Sequence, residues 1–125
     1  MHVTGNYVYT VIGATDTMVI GDISDPAYPR IISQTNVGDG VNFVYASGRY
    51  AYVSNFTAGS VSVVDVSNPF DPVKRSEVAT GVQANGVYAH GRYLYTTNAG
   101  PGTLSVVDVS DPGRAVEVRE ISIAT

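Results

Sequence analysis

A 43-residue repeat is the feature that most constrains the fold of this chain. Val-Val-Asp-Val-Ser occurs at 63–67 and again at 106–110, and the related Ile-Gly-Asp-Ile-Ser occupies 20–24. The last two copies align without an insertion, and nearly half of their aligned positions are identical. Chance would give only a few identities, so we infer tandem duplication of one structural unit, with three units covering nearly the whole chain.

Each repeat contains four segments with the pattern of β-strands. In the second copy these segments are 41–46, 49–55, 60–66 and 73–79. The second places Tyr50 and Tyr52 on one face, and the third is almost continuously β-branched, as in a strand that is buried on both faces. The fourth carries charges, which suits an outer edge. Since no window has the apolar spacing of a helix, we predict an all-β fold without a substantial helix.

A four-stranded antiparallel unit of about 40 residues, repeated in tandem, is typical of a β-propeller blade. We therefore predict three blades, at about 1–37, 38–80 and 81–125. The first copy is shorter than the others, because Met1 aligns with Val44 and the equivalents of 38–43 are absent.

Two motifs in each repeat resemble those of the LVIVD-repeat propeller family. The second copy carries Tyr50-x-Tyr52 and then Val-Val-Asp-Val-Ser-Asn-Pro at 63–69, and both motifs recur in the other copies. Gly21 in an apolar position, Asn68 for Asp and a missing proline near Gly113 depart from the family pattern. The resemblance covers essentially the whole chain. It implies the propeller fold and an extracellular or periplasmic location, and it implies little chemistry.

Three blades do not close a ring, because known propellers have about four to eight. A bare blade face is a large apolar surface of a kind that soluble monomers rarely expose. We expect a second chain to complete a six-bladed ring, as a cyclic homodimer. The alternative is a fragment excised from a larger extracellular propeller.

Composition and charge argue against several function classes. Eleven acidic and seven basic residues give a net charge of −4 and a pI near 4.8, which argues against binding nucleic acid through its phosphates. Apolar runs are too short for insertion into a bilayer, and the sequence shows no targeting signal. The absence of cysteine excludes disulfides, thiolate metal sites and a cysteine nucleophile.

Recurrent polar and aromatic residues have simple structural interpretations. We expect Asp22, Asp65 and Asp108, which follow the apolar core of each third strand, to cap the turn amides, and the Asx-Pro pairs that come next to form turns. The repeated tyrosines are expected to pack between blades. His90 is interpreted as variation in an exposed turn, and His2 as a frayed or engineered start. We predict no catalytic residue, no metal and no cofactor, since Gly-x-Ser-x-Gly and spaced metal ligands are missing.

The best place for a ligand is where the loops before the inner strands meet those between second and third strands. The candidate binding residues there are Asp39, Asn42, Gln83 and Asn85, and Phe43 and Phe56 could line a pocket. A glycan or a protein is the ligand that we expect. The sequence thus favours a non-enzymatic, self-associating binding or assembly scaffold, and the alternative is a lectin-like, carbohydrate-binding propeller.

Overall fold

The computed structural model describes residues 1–123 and consists of three four-stranded antiparallel sheets. The strands are β1 (His2–Thr4), β2 (Tyr7–Ile12), β3 (Thr17–Asp22), β4 (Arg30–Asn36), β5 (Val41–Ser47), β6 (Tyr50–Asn55), β7 (Ser60–Asp65), β8 (Val73–Ala79), β9 (Ala84–His90), β10 (Tyr93–Asn98), β11 (Thr103–Asp108) and β12 (Val116–Ser122). One 3-10 turn at Gly13–Thr15 is the only helix in the described part. The predicted all-β architecture is therefore confirmed. Ala124 and Thr125, the end of the predicted third blade, lie outside the described residues.

Each sheet is a blade in which strands adjacent in sequence pair with one another. Blade 1 comprises β1–β4, blade 2 β5–β8 and blade 3 β9–β12. The first strand of each blade packs near its counterparts and forms the inner edge of the molecule, and the fourth strand forms the outer edge. The pairing of third and fourth strands is interrupted by an irregularity at the same repeat position, between Val63 and Val64 in blade 2.

Two apolar cores lie between successive blades. The first joins blades 1 and 2 and contains Tyr9, Met18, Ile20, Val37, Val41, Val44, Ala46, Ala51, Val53, Val64 and Val66. The second joins blades 2 and 3 and contains Tyr52, Val61, Val63, Val78, Val87, Leu94, Val107 and Val109. Because blade 2 has a neighbour on each side, all six residues of β7 are buried, as its β-branched sequence predicts.

The recurrent aspartates cap turns, as the sequence predicts. Asp65 Oδ1 accepts the amide of Ser67 at 2.9 Å, and its Oδ2 accepts a hydrogen bond from Arg49 at 2.8 Å. The equivalent Asp108 accepts from the amide of Ser110 at 2.9 Å. Hydrogen bonds from Ser67 and then Arg49 hold the pKa of Asp65 well below its usual range, and bonds from Ser110 and Arg92 lower the pKa of Asp108 to about 2.

A buried amide ties the loop before β5 to blade 2. Asn55 Nδ2 donates to the hydroxyls of Ser60 and Ser62, at 3.0 and 2.9 Å, and Ser62 donates to the carbonyl of Val37. Gly38 lies so close that a Cβ on it would come within 2.0 Å of Asn55 Oδ1. Asn98 repeats the arrangement in blade 3, where it donates to Thr103 and Ser105. These networks fix the loops that carry the candidate site.

Candidate functional site

Because the strands of each blade run up and down in sequence order, each blade has two distinct ends. We use the name loop end for the end that carries two kinds of connection. One kind precedes β5 and β9, and the other joins β2 to β3, β6 to β7 and β10 to β11. The opposite end, the turn end, carries the capped turns that connect β3 to β4 and their counterparts. All four predicted site residues belong to the loop end or to the strand starts beside it.

Asp39 and Gly40 form a loop that is held from two sides. The carbonyl of Gly40 accepts the amide of Phe56 at 2.7 Å, and the carbonyl of Asp39 accepts that of Ala58 at 3.1 Å. From blade 1, Asp16 Oδ1 accepts the amide of Gly40 at 2.7 Å. The loop is thus braced by both blades, and the exposed Asp39 side chain sits on a fixed backbone.

Asn42 and Asn85 are brought together across the inner edge. They occupy equivalent positions in β5 and β9, and Asn42 Nδ2 donates to Asn85 Oδ1 at 2.7 Å. Both residues are exposed. Within residues 1–123, Asn42 Oδ1 and Asn85 Nδ2 have no hydrogen-bond partner, so the pair presents one acceptor and one donor group to solvent.

A cleft of about 300 Å³ opens beside this amide pair. It is lined by Gly40, Val41, Asn42, Phe56 and Thr57. Phe56 is half-buried and forms an aromatic wall of the cleft, as predicted. Phe43, the other predicted wall, is 40% exposed and is not part of the lining.

Gln83 belongs to the third blade's copy of the loop rather than to the cleft. Its backbone is left-handed, with φ 61°, at the position where blade 2 has Gly40 with φ 73°. Its carbonyl accepts the amide of Ala99 at 3.0 Å, which repeats the bond between Gly40 and Phe56. Its side chain lies against Gly100. The structure therefore groups Asp39, Asn42 and Asn85 around one loop region and leaves Gln83 apart.

An aromatic arc along the inner edge was not predicted. The His2 ring stacks on Tyr45 at 4.5 Å and 21°, and Tyr45 meets Tyr88 at 4.7 Å and 51°. His2 Nδ1 also accepts the amide of Ala46 at 2.9 Å, so this histidine is held in place and is not a frayed start. Burial and then the neighbouring Tyr88 raise the pKa of Tyr45. The signal that could have found the arc is the alignment of residues 2, 45 and 88 in the repeat.

The two ends of the blades differ in charge. Six of the seven basic residues lie in the turns or strand starts of the turn end, and the seventh, Arg119, lies within β12. The loop end carries Asp16 and Asp39 and no Lys or Arg within the described residues. Across residues 1–123, no three His, Asp or Glu side chains converge as metal ligands would, and no helix is long and apolar enough to cross a membrane.

The family model of the LVIVD repeat matches this sequence three times, at residues 1–37, 40–80 and 81–121. The chain belongs to the LVIVD-repeat family. The three matches correspond to the three blades and confirm the family suggested by the Tyr-x-Tyr and Val-Val-Asp-Val-Ser motifs. No curated protein matches the sequence significantly.

Several solved structures, among them a β-propeller domain, resemble this LVIVD-repeat chain in fold. A candidate 6-phosphogluconolactonase from Bacteroides fragilis has a TM-score of 0.85 and 18% identity, over 95% of this chain and 36% of its own. Hydrazine synthase of Kuenenia stuttgartiensis has a TM-score of 0.83 and 19% identity, over 96% and 33%. The Cps50 (Swd1) β-propeller domain of Myceliophteria thermophila has a TM-score of 0.72 and 15% identity, over 97% and 41%.

These likenesses establish the propeller fold and nothing finer, because every identity is below 20%. The chain spans only about a third to two fifths of the length of these structures.

Proposed function

We propose that this LVIVD-repeat chain is a non-enzymatic binding and assembly scaffold. In this proposal a second copy covers its two open blade faces to give a six-bladed ring, and a ligand binds at the loop end. Self-association is supported by one observation. The face of blade 2 that packs against blade 3 has apolar residues that recur at the same positions on the uncovered face of blade 3. The expected extracellular or periplasmic location stays a prediction.

The face of blade 2 that lies against blade 3 is an example of a covered blade face. Tyr52, Val61, Val63 and Val78 of this face form a core with Val87, Leu94, Val107 and Val109 of blade 3. One period later, the same positions of blade 3 carry Tyr95, Leu104, Val106 and Ile121. This apolar face has no blade against it within the described chain.

The open face of blade 3 has a cleft and an exposed tyrosine that a further blade could cover. A cleft of about 290 Å³ lies on it, lined by Gly86, Val87, Tyr88, Tyr95, Thr97 and Leu104. Tyr88 is 59% exposed, whereas the equivalent Tyr45 lies between His2 and Tyr88. A further blade would supply the missing contact, in the way that blade 3 does for blade 2.

Blade 1 offers the complementary face. Met18 and Ile20 of β3 point toward blade 2, so the alternate residues Val19 and Gly21 lie on the opposite face. Val8 fills the space above Gly21, since its Cγ1 is 2.9 Å from where a Cβ would lie. The face is thus apolar at Val8, Val19 and Gly21, and Thr10 and Thr17 lie on it as well. In a ring of two copies, His2 of the second copy would meet Tyr88 as His2 meets Tyr45 within one chain.

The experiment is a measurement of particle mass by light scattering after size exclusion, at several concentrations. We expect about 26 kDa, twice the 13.2 kDa of one chain. Leu104→Arg places a charge on the open face and should give 13.2 kDa particles with an intact fold. Phe70→Arg is the matched control, because Phe70 is 63% exposed in a turn away from both faces.

Two outcomes would contradict self-association. A wild-type chain that stays at 13.2 kDa at all concentrations, or that forms only polydisperse aggregate, would favour a larger propeller in which other blades cover these faces. A Leu104→Arg chain that keeps the double mass would show that the contact lies elsewhere.

A further inference from the structure

The charge distribution restricts what the loop-end cleft can bind. Anionic ligands such as phosphate esters and carboxylates are held in proteins by Lys, Arg or clustered amides at helix ends. The described loop end has none of these cations, and its two carboxylates, Asp16 and Asp39, would repel an anion. Since Asp16 already accepts the Gly40 amide, Asp39 is the one exposed loop carboxylate beside the cleft that is left for a cation. Both observations favour an uncharged ligand.

The lining groups are suited to a ligand with many hydroxyls. Asn42 Oδ1 is a hydrogen-bond acceptor, Asn85 Nδ2 is a donor, and the exposed Thr57 hydroxyl can serve as either. Phe56 adds an apolar aromatic wall, and Val41 adds an aliphatic one. A sugar ring presents C–H groups on its face, which pack on an aromatic ring, and hydroxyls around its rim, which pair with amides.

The cleft is also of a suitable size. Its volume of about 300 Å³ lies at the lower end of the range for small-molecule sites. The Asn42–Asn85 bond and the braced loop at Asp39 and Gly40 hold the polar groups in place before a ligand arrives. Such preorganisation lowers the entropy lost on binding.

We propose that the cleft formed by Gly40, Val41, Asn42, Phe56 and Thr57, with Asn85 beside it, binds a neutral sugar and excludes phosphorylated and other anionic ones. The proposal rests on ligand binding at the loop end, which is part of the proposed function. It does not depend on ring closure, because every lining residue comes from one chain.

The test is an NMR titration of the 125-residue protein with three neutral trisaccharides, maltotriose, cellotriose and triacetylchitotriose, at millimolar concentrations. Glucose 6-phosphate and glucosamine are the anionic and cationic comparisons. We expect at least one trisaccharide to shift the side-chain amide signals of Asn42 and Asn85 and the ring signals of Phe56. Neither charged sugar should cause shifts of comparable size at the same concentration.

Variants assign the binding to the cleft. Phe56→Ala should weaken sugar binding at least about tenfold. Asn42→Asp keeps the size of the side chain, removes its donor and adds a charge, so it should weaken binding as well. Phe70→Ala, which removes an exposed aromatic ring at the turn end, is the control that should leave binding unchanged.

The results separate this proposal from self-association. Leu104→Arg should lose the double mass and keep the sugar-induced shifts, and Phe56→Ala should do the reverse. The sugar proposal is overturned if no trisaccharide causes shifts, if the shifts lie outside the cleft, or if either charged sugar binds more tightly than every neutral one. Each of these results would leave the mass measurement unaffected.

Discussion

Blade 2 and blade 3 have closely related sequences and very different surroundings. All six residues of β7 are buried, whereas only Ser105 and Val107 are buried in the equivalent β11. Val63 has no exposed surface, and its counterpart Val106 is half-buried. The burial of a blade is therefore set by its neighbours as much as by its own residues, as expected for repeat proteins stabilised by nearest-neighbour interfaces.

The same substitution at equivalent positions of blades 2 and 3 should have very different effects on stability. Val63→Asp puts an unpaired charge into the core between blades 2 and 3 and should lower the free energy of unfolding by at least about 3 kcal/mol. Val106→Asp lies on the open face and should cost about 1 kcal/mol in dilute, dissociated protein. Urea unfolding at low protein concentration measures both values.

The control for this pair is the particle mass. Val106→Asp should prevent formation of the 26 kDa particle that we expect of the wild type, because the charge would be buried on assembly. Equal destabilisation of the dilute protein by the two substitutions would mean that blade 3 is already covered within one chain, contrary to its observed exposure.

Much of the fold follows from the repeat and from alternation. The predicted strands at 41–46, 49–55, 60–66 and 73–79 agree with β5–β8 to within one residue at each boundary. The turn-capping role of Asp65 and its counterparts was also predictable, because an acceptor beside a tight turn has few other partners. These features depend on local chemistry, which is repeated three times in one sequence.

Features that depend on contacts between distant residues were not predicted. The stacking of His2 on Tyr45 and the bond between Asn42 and Asn85 require the relative placement of two blades, which a strand pattern does not specify. Gln83 was predicted as a site residue, and its side chain lies against Gly100 in the third blade's copy of the loop, so its role in binding also stays a prediction. Whether Asp39, Asn42 and Asn85 bind a ligand stays a prediction.

The buried amides provide a second comparison of the two blades. A Cβ on Gly38 would come within 2.0 Å of Asn55 Oδ1, and Asn55 is buried and bonded to two serines. A Cβ on Gly81 would come no closer than 2.7 Å to the equally buried Asn98 and to the carboxylate of Glu120, which is a milder clash, and Glu120 lies on an exposed outer strand where it can move away. We expect Gly38→Ala to cost about 2 kcal/mol, and Gly81→Ala about 1 kcal/mol.

Thermal unfolding of the two alanine variants checks this order. The double variant Gly38→Ala/Asn55→Ala should be destabilised by less than the sum of its single variants, because removing the amide removes the clash. Additive effects would show that Gly38 is required for another reason, such as backbone conformation.

The smallest expected effect concerns the outer strands. Blade 2 has an ion pair between Lys74 and Glu77, and blade 3 has Glu117 and Glu120 at the same positions. Burial and then the charge of Glu120 raise the pKa of Glu117. Glu117→Lys should therefore raise the free energy of unfolding near neutral pH by about 0.5 kcal/mol, a typical value for an exposed pair.

The pH dependence of this gain has a defined sign. Because the pKa of Glu117 is raised in the folded chain, its contribution to stability is present at low pH, where the folded protein binds the proton, and is lost as the pH rises through that pKa. The advantage of Glu117→Lys should thus grow from acid to neutral pH in urea unfolding experiments. Lys74→Glu, which gives blade 2 the charges of blade 3, should have the opposite effect. A gain that does not change with pH would show that the repulsion between Glu117 and Glu120 does not limit the stability of blade 3.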